Sequence, residues 1–288
     1  MTTDSVAATN SRAIVIGHND AEGAGASCFT QTGQAKWRIA LLKLRPPIEA
    51  VCYEDSASQP STPSRAHDVA LTPNGAFAFV TTRVGTYRVD MSSGIWPSPV
   101  PEPYYDGTDP LQVGGSQAFV TNSIACTNTK AVVIGRNISS NTPQAIVIDV
   151  NTDPQLSGAF SFVSLFQSAV PAPTLPVPKF SYIVPTDVLI DPSESFAIVR
   201  SMEMNQGYDP SPQQGVVYAQ RYGRVSIIRL SDAALVVEFD QYGGLPFGAS
   251  WGINHLAASA DFAITGGEHS LSQGSQTSKG WVQIVKLR

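Results

Sequence analysis

Four histidines, His18, His67, His255 and His269, are scattered along the 288 residues, with no HxH, HxxxH or HExxH spacing between any two. Any chemistry they share must therefore come from convergence in space. His67 precedes Asp68 and His255 follows Asn254. Histidine changes charge near neutral pH, so His67 and His255 facing one ligand suit general acid and base catalysis, with Asp68 or Asp187 orienting an imidazole. The same set would also suit a divalent metal, although no metal or other cofactor is assigned. Arg83, Arg136 and Arg200 supply guanidinium groups for a carboxylate, phosphate or enolate, or for pairing with Asp68, Asp187 or Glu268 across the scaffold.

The elements that must position these residues are announced by the stretch 66–94, AHDVALTPNGAFAFVTTRVGTYRVDMSSG. It reads as three strands, Val69–Leu71, Phe77–Val80 and Thr86–Asp90, the first two joined by Thr72-Pro73-Asn74-Gly75. Pro presets one φ angle there, while Asn and Gly tolerate positive φ. Degraded copies begin at Val6, Ile124, Val188 and Leu256, 55 to 68 residues apart when Val69 is counted among them. Ala13, Ala78, Ala131, Ala197 and Ala263 mark the second strand of each copy, and a third apolar strand follows every time. Repetition on this scale predicts a repeat fold.

Four antiparallel strands per unit, radially repeated, predict an all-β propeller of five blades, the last one three-stranded. The blades span about 4–54, 66–100, 117–167, 185–240 and 252–288 of a single domain, 1–288. The runs Asp-Val-Ala-Leu-Thr-Pro-Asn-Gly, Ala-Phe-Val and Tyr-Arg-Val-Asp-Met-Ser-Ser-Gly resemble the YVTN repeat of lactonase-like and quinoprotein-like propellers. That resemblance covers all five units and implies the fold. The group holds hydrolases, dehydrogenase subunits and non-catalytic binding proteins, so the resemblance carries over no catalytic residue.

Composition narrows the function. A formal net charge of −5 and a pI near 5.3 argue against nucleic acid or an anionic membrane as partner. No apolar run approaches the roughly 18 residues of a membrane span, and MTTDSVAATN lacks the basic and apolar regions of a signal peptide. A surface rich in Ser, Thr, Gln and Pro leans extracytoplasmic, but the compartment stays open. Cys28, Cys52 and Cys126 are too few for a disulfide framework and read as buried or idle thiols.

Turns between strands one and two and between strands three and four are short, whereas the other connections are long. Among the long ones are the insertion Met202 to Tyr222 in the fourth copy and the Pro-rich connector Ser168 to Pro185, and the second copy ends with a weak fourth strand near Ile95. The long connections fall at one end of every blade, where binding and catalysis usually sit. Two rings of polar residues stand at that end: Ser5, Asp68, Ser123, Asp187 and His255, each just before an inner strand, and Asp4, His67, Asn122, Thr186 and Asn254 one residue earlier. His18, Arg83, Arg136 and Glu268 close second strands nearby, and Tyr105 and Trp251 are among the loop aromatics. A polar floor under aromatic walls describes a small-molecule pocket. The expectation is a small-molecule-processing enzyme, with His67, His255, Asp68 and Asp187 catalytic. His18, Arg83, Arg136, Arg200, Asn122, Asn254, Glu268, Tyr105 and Trp251 would bind substrate. Ring-opening hydrolysis, as the lactonase-like resemblance implies, is one reaction and a lyase or cyclisation step another. The alternative is a non-catalytic module that binds a glycan, peptide or protein through the aromatic loops. Either would be a monomer or a weak homo-oligomer.

Overall fold

In a computed structural model the described residues are 2–18, 37–44, 49–54, 66–82, 85–91, 119–137, 142–152, 160–165, 179–208, 217–240, 250–270 and 278–288. They form five up-and-down sheets. The first contains β1 (Thr2–Ala8), β2 (Arg12–His18), β3 (Trp37–Lys43) and β4 (Glu49–Glu54), the second β5 (Ala66–Leu71), β6 (Phe77–Thr82) and β7 (Gly85–Asp90). The third contains β8 (Phe119–Cys126), β9 (Lys130–Asn137), β10 (Pro143–Asp149) and β11 (Phe160–Ser164). The fourth is built from β12 (Lys179–Ile190), β13 (Phe196–Tyr208), β14 (Val217–Arg229) and β15 (Ala234–Asp240), the fifth from β16 (Ser250–Ala258), β17 (Phe262–Ser270) and β18 (Ser278–Lys286). Each sheet is ordered as the chain runs, the arrangement of a propeller blade, and the fold is an all-β propeller with five such blades. The fourth strand expected near Ile95 lies outside the described residues.

The chain divides into two compact units, Met1–Val133 with Ile148–Phe160, and Ile134–Val147 with Ser161–Arg288. In the first unit, Ile14 and Ile16 of the first sheet pack with Val69, Ala78, Val80, Val89 and Met91 of the second. In the second unit, Ile198, Val225 and Ile227 of the fourth sheet pack with Ala263 of the fifth. The alanine that marks each copy is buried in all five sheets. In the second and fifth sheets it lies in these cores, where a small side chain lets the neighbouring sheet approach.

The short turns come in two forms. In the first, third and fifth sheets the backbone closes over four residues, with Thr9 N–H donating to Arg12 O at 2.8 Å, Thr127 to Lys130 at 2.7 Å and Ser259 to Phe262 at 2.8 Å. The hydroxyl of Thr9, Thr127 or Ser259 accepts from the two following turn amides, an alternative partner that suits these residues to turns. In the second and fourth sheets the turn is two residues longer: Thr72 N–H donates to Phe77 O at 2.9 Å, and Asp191 N–H to Phe196 O at 3.0 Å. Both longer turns place their fourth residue in the left-handed region, Gly75 at φ 70° and Glu194 at φ 56°. After each third strand an apolar residue, Leu44, Met91, Val150, Leu230 or Leu287, donates its N–H back into the turn of its own sheet. Neighbouring turns are also tied together, by Arg12 Nη1 to Gly75 O at 2.9 Å and by Asn74 N–H to Asn128 Oδ1 at 2.9 Å.

Two expectations change. Residues Met202 to Tyr222, expected as a loop inserted between strands two and three, instead continue β13 and β14 in unbroken register from Met202↔Gly223 to Tyr208↔Val217, leaving only 209–216 as the connection. β12 extends alongside from Lys179, so the Pro-rich connector expected over Ser168 to Pro185 ends in a strand. The extension is polar and lacks an apolar stripe, yet cross-strand hydrogen bonding satisfies its backbone, which is why strand pairing wins there over loop composition. Connections between the second and third strands are correspondingly short in the second and third sheets, at 83–84 and 138–142.

Candidate functional site

Four inner strands carry the same irregularity. Register slips between Thr3 and Ser5 in β1, between Ala66 and Asp68 in β5, between Pro185 and Asp187 in β12 and between Ile253 and His255 in β16. The extra residue of each bulge is Asp4, His67, Thr186 or Asn254, and the residue after it is Ser5, Asp68, Asp187 or His255. Four of the five positions in each polar ring therefore map onto one backbone device. It lies inside the strands, not ahead of them as expected from the sequence. Bulges re-aim side chains and recur at rims and beside active sites. Nothing in the sequence signals this, because a bulge belongs to the pairing of two strands.

Asp68 is the most thoroughly engaged of these residues. Its Oδ1 accepts from Ser5 Oγ at 2.8 Å and from Val69 N–H at 2.9 Å. Its Oδ2 accepts from Ser123 Oγ at 2.6 Å and from Ile124 N–H at 3.2 Å. One carboxylate thus joins β1, β5 and β8, the inner strands of three successive sheets. Thr81 Oγ1 in β6 donates to Asp68 O at 3.2 Å and steadies the bulge from the other side. Charge-assisted bonds of this kind are roughly twice as strong as neutral ones. Both Asp68 carboxylate oxygens are thus engaged within the scaffold.

In the second unit the bulge is secured differently. Arg200 lies across the strand pair from Asp187, and its Nη2 approaches Asp187 Oδ2 at 3.8 Å. Its Nε donates to Thr186 Oγ1 at 3.1 Å, and Thr186 Oγ1 donates to Arg200 O at 3.3 Å. Both Arg200 and Asp187 are partly exposed, so this pair contributes orientation more than stability. His255, opposite Gly266, has an exposed side chain.

Asn122 and Arg136 are half-buried in β8 and β9. His67, His18, Asn254, Trp251 and Glu268 are placed by their backbone within β5, β2, β16, β16 and β17, the last pairing with Gly252 and Gly280. Arg83 and Tyr105 lie outside the described residues, as does Cys28. Among the described residues no three His, Cys, Asp or Glu side chains gather as a metal site would require. Cys126 is a free, half-buried thiol, and burial pushes its pKa up to about 12, so it is protonated and unreactive at neutral pH.

The partners of Asp68 escaped the sequence reading. Ser5 and Ser123 belong to its polar rings, but their bonds to Asp68 span 63 and 55 residues and follow only from the repeat register.

No protein-family model matches the chain, and no curated protein matches it. Solved structures do. Hydrazine synthase from Kuenenia stuttgartiensis aligns with a TM-score of 0.50 and 13% identity, over 99% of this chain and 63% of the other. The β-propeller domain of the Trilobed protease from Pyrococcus furiosus, described as having an open velcro topology, aligns at 0.49 and 8% identity, over 99% and 71%. A Dos1 propeller aligns at 0.45 and 12%, over 93% and 67%. This chain thus spans less than two thirds of the hydrazine synthase chain that it matches. At such identities the likeness speaks for the fold alone.

Proposed function

We propose that the bulge-bearing end of the inner strands is the working end of the protein and takes a small oxygenated ligand. His255 serves there as acid or base, and Arg136 and Arg200 of the same unit stabilise developing negative charge. Asp68 fixes three inner strands in place, and Asp187 orients Arg200. The reaction class is ring-opening hydrolysis, in keeping with the resemblance of the repeats to lactonase-like YVTN propellers, with a lyase or cyclisation step as the variant of the same acid and base chemistry.

One observation carries this reading. At the turn end of the sheets, equivalent positions keep one role, with the side-chain oxygens of Thr9, Thr72, Thr127, Asp191 and Ser259 all accepting from amides of their own turns. At the bulge end the backbone is likewise the same, yet the residue after the bulge is Ser5, Asp68, Asp187 or His255. Scaffold duty alone favours one solution to one geometry, whereas a ligand contacts each position with a different atom.

A second reading, a non-catalytic binding module using Trp251, is favoured by the engagement of both Asp68 oxygens within the scaffold. A panel of lactones and esters separates the two. Turnover that disappears in His255→Ala, with melting temperature preserved, supports the enzyme. Absence of turnover together with ligand binding that fails in Trp251→Ala supports the module.

A further inference from the structure

The fourth and fifth sheets, both in the second unit, are sealed against each other at one level and open at the next. Ile198, Val225 and Ile227 pack on Ala263, with Leu256 and Val285 beside it. Arg200, one row further along the same face of the fourth sheet, pairs with Val225 on one side and Asp187 on the other. The side chains of Arg200 and Asp187 are 20% and 43% exposed, so solvent enters where the apolar packing stops.

Strand register gives the positions that border this opening, because residues two apart in a strand share a face. On the fourth sheet the face of Ile198 and Arg200 continues to Met202 and then to the row of Tyr182. On the fifth, the face of Ala263 continues through Thr265 to Gly267, which pairs with Ile253 and Trp281, and to His269, which pairs with Trp251. Neighbouring strands lie about 4.8 Å apart, so Ile253 and Trp281 stand roughly 10 Å apart on either side of a residue that has no side chain. At the position of Trp281 the first, second and fourth sheets hold Arg38, Gly85 and Arg224, so the blade itself does not call for an aromatic residue there.

We propose that this cleft takes the flat aromatic part of an anionic ligand, its ring against Trp281 and Trp251 and its carboxylate on Arg200. Aromatic rings gain from stacked or edge-to-face contact, and the planar guanidinium fork matches a carboxylate. Arg200 is placed for this: Thr186 Oγ1 accepts from its Nε at 3.1 Å, while Asp187 stands off at 3.8 Å, a carboxylate that the ligand's own can replace. The inference rests on reading the bulge end as the ligand site and names the ligand class, an aromatic carboxylate or the aryl-substituted lactone that opens to one. Such an opening breaks the acyl C–O bond, takes up one water and leaves a hydroxyl and a carboxylic acid, which ionises.

Titration calorimetry of the full chain with cinnamate tests this, with hexanoate as an anion lacking the ring and cinnamamide as a ring lacking the charge. Cinnamate is expected to bind about 10-fold more tightly than either. Trp281→Leu should weaken cinnamate about 5-fold, and Trp281→Phe should recover most of that loss. Arg200→Gln should weaken cinnamate about 10-fold and leave cinnamamide unchanged. If Trp281→Leu does not fold, Gly267→Val, a β-branched residue suited to a strand, fills the gap between Ile253 and Trp281 and should exclude the ring instead. No binding of cinnamate at millimolar concentration, equal binding of hexanoate, or unchanged cinnamate affinity in the folded variants overturns the proposal. Cinnamate binding with these losses but no turnover of any lactone overturns the hydrolytic reading and leaves the cleft as assigned. Turnover without cinnamate binding overturns the cleft and leaves the hydrolytic reading standing.

Discussion

Ser123 donates its hydroxyl to Asp68 Oδ2 at 2.6 Å across a sheet boundary, while Ser5 reaches the other oxygen of the same carboxylate from the opposite side. Asp68→Ala removes the acceptor from two serines and two backbone amides, and should cost about 2 to 4 kcal/mol in urea unfolding. Asp68→Asn keeps one accepting oxygen and should lose about half as much. Equal stability of all three proteins would show that the carboxylate joins nothing.

Backbone geometry at the turns makes the second prediction. Gly75 sits at φ 70°, and a Cβ added there would meet Arg12 Cδ at an ordinary 3.5 Å, so Gly75→Ala is limited by conformation and not by space. It should destabilise by about 1 kcal/mol. Ala233, at φ 54°, is the reverse case, and Ala233→Gly should be neutral or stabilising. Calorimetric melts of the two variants should move in opposite directions, or the second should not move at all.

Cys126 makes the third. Its thiol is raised by burial to about 12, above the ordinary value of 9.0. Its contribution to stability is complete below that ordinary value and is lost as pH rises toward 12, because the unfolded chain ionises first. Native protein at pH 8 should leave Cys126 unmodified by iodoacetamide, as read by mass spectrometry of its peptide, while urea should expose it.

The scaffold is plain in the sequence wherever a residue acts locally. The Thr72-Pro73-Asn74-Gly75 turn, the marker alanines and the apolar third strands all report on neighbours within a few positions, and each is found in place. Three features resist such reading. The β13 and β14 extension is polar, so its pairing shows only once Tyr208 and Val217 are brought face to face. The bulges at His67 and Asn254 exist only in relation to a partner strand. The partners of Asp68 come from other repeats, where each serine looks like any other polar residue near a strand end.

The separation of duties between the two ends of the sheets is tested most directly by measuring kcat/KM and melting temperature together for His255→Ala and Thr127→Ala, on the best substrate of the lactone and ester panel. His255→Ala should lose about 100-fold or more in kcat/KM with its melting temperature unchanged. Thr127→Ala, which removes the hydroxyl that accepts from Thr129 and Lys130 N–H, should lower the melting temperature by about 2 to 4 °C and leave kcat/KM intact. Full turnover in His255→Ala, or a loss of turnover matched by a loss of stability, would contradict the assignment of the bulge end as the working end.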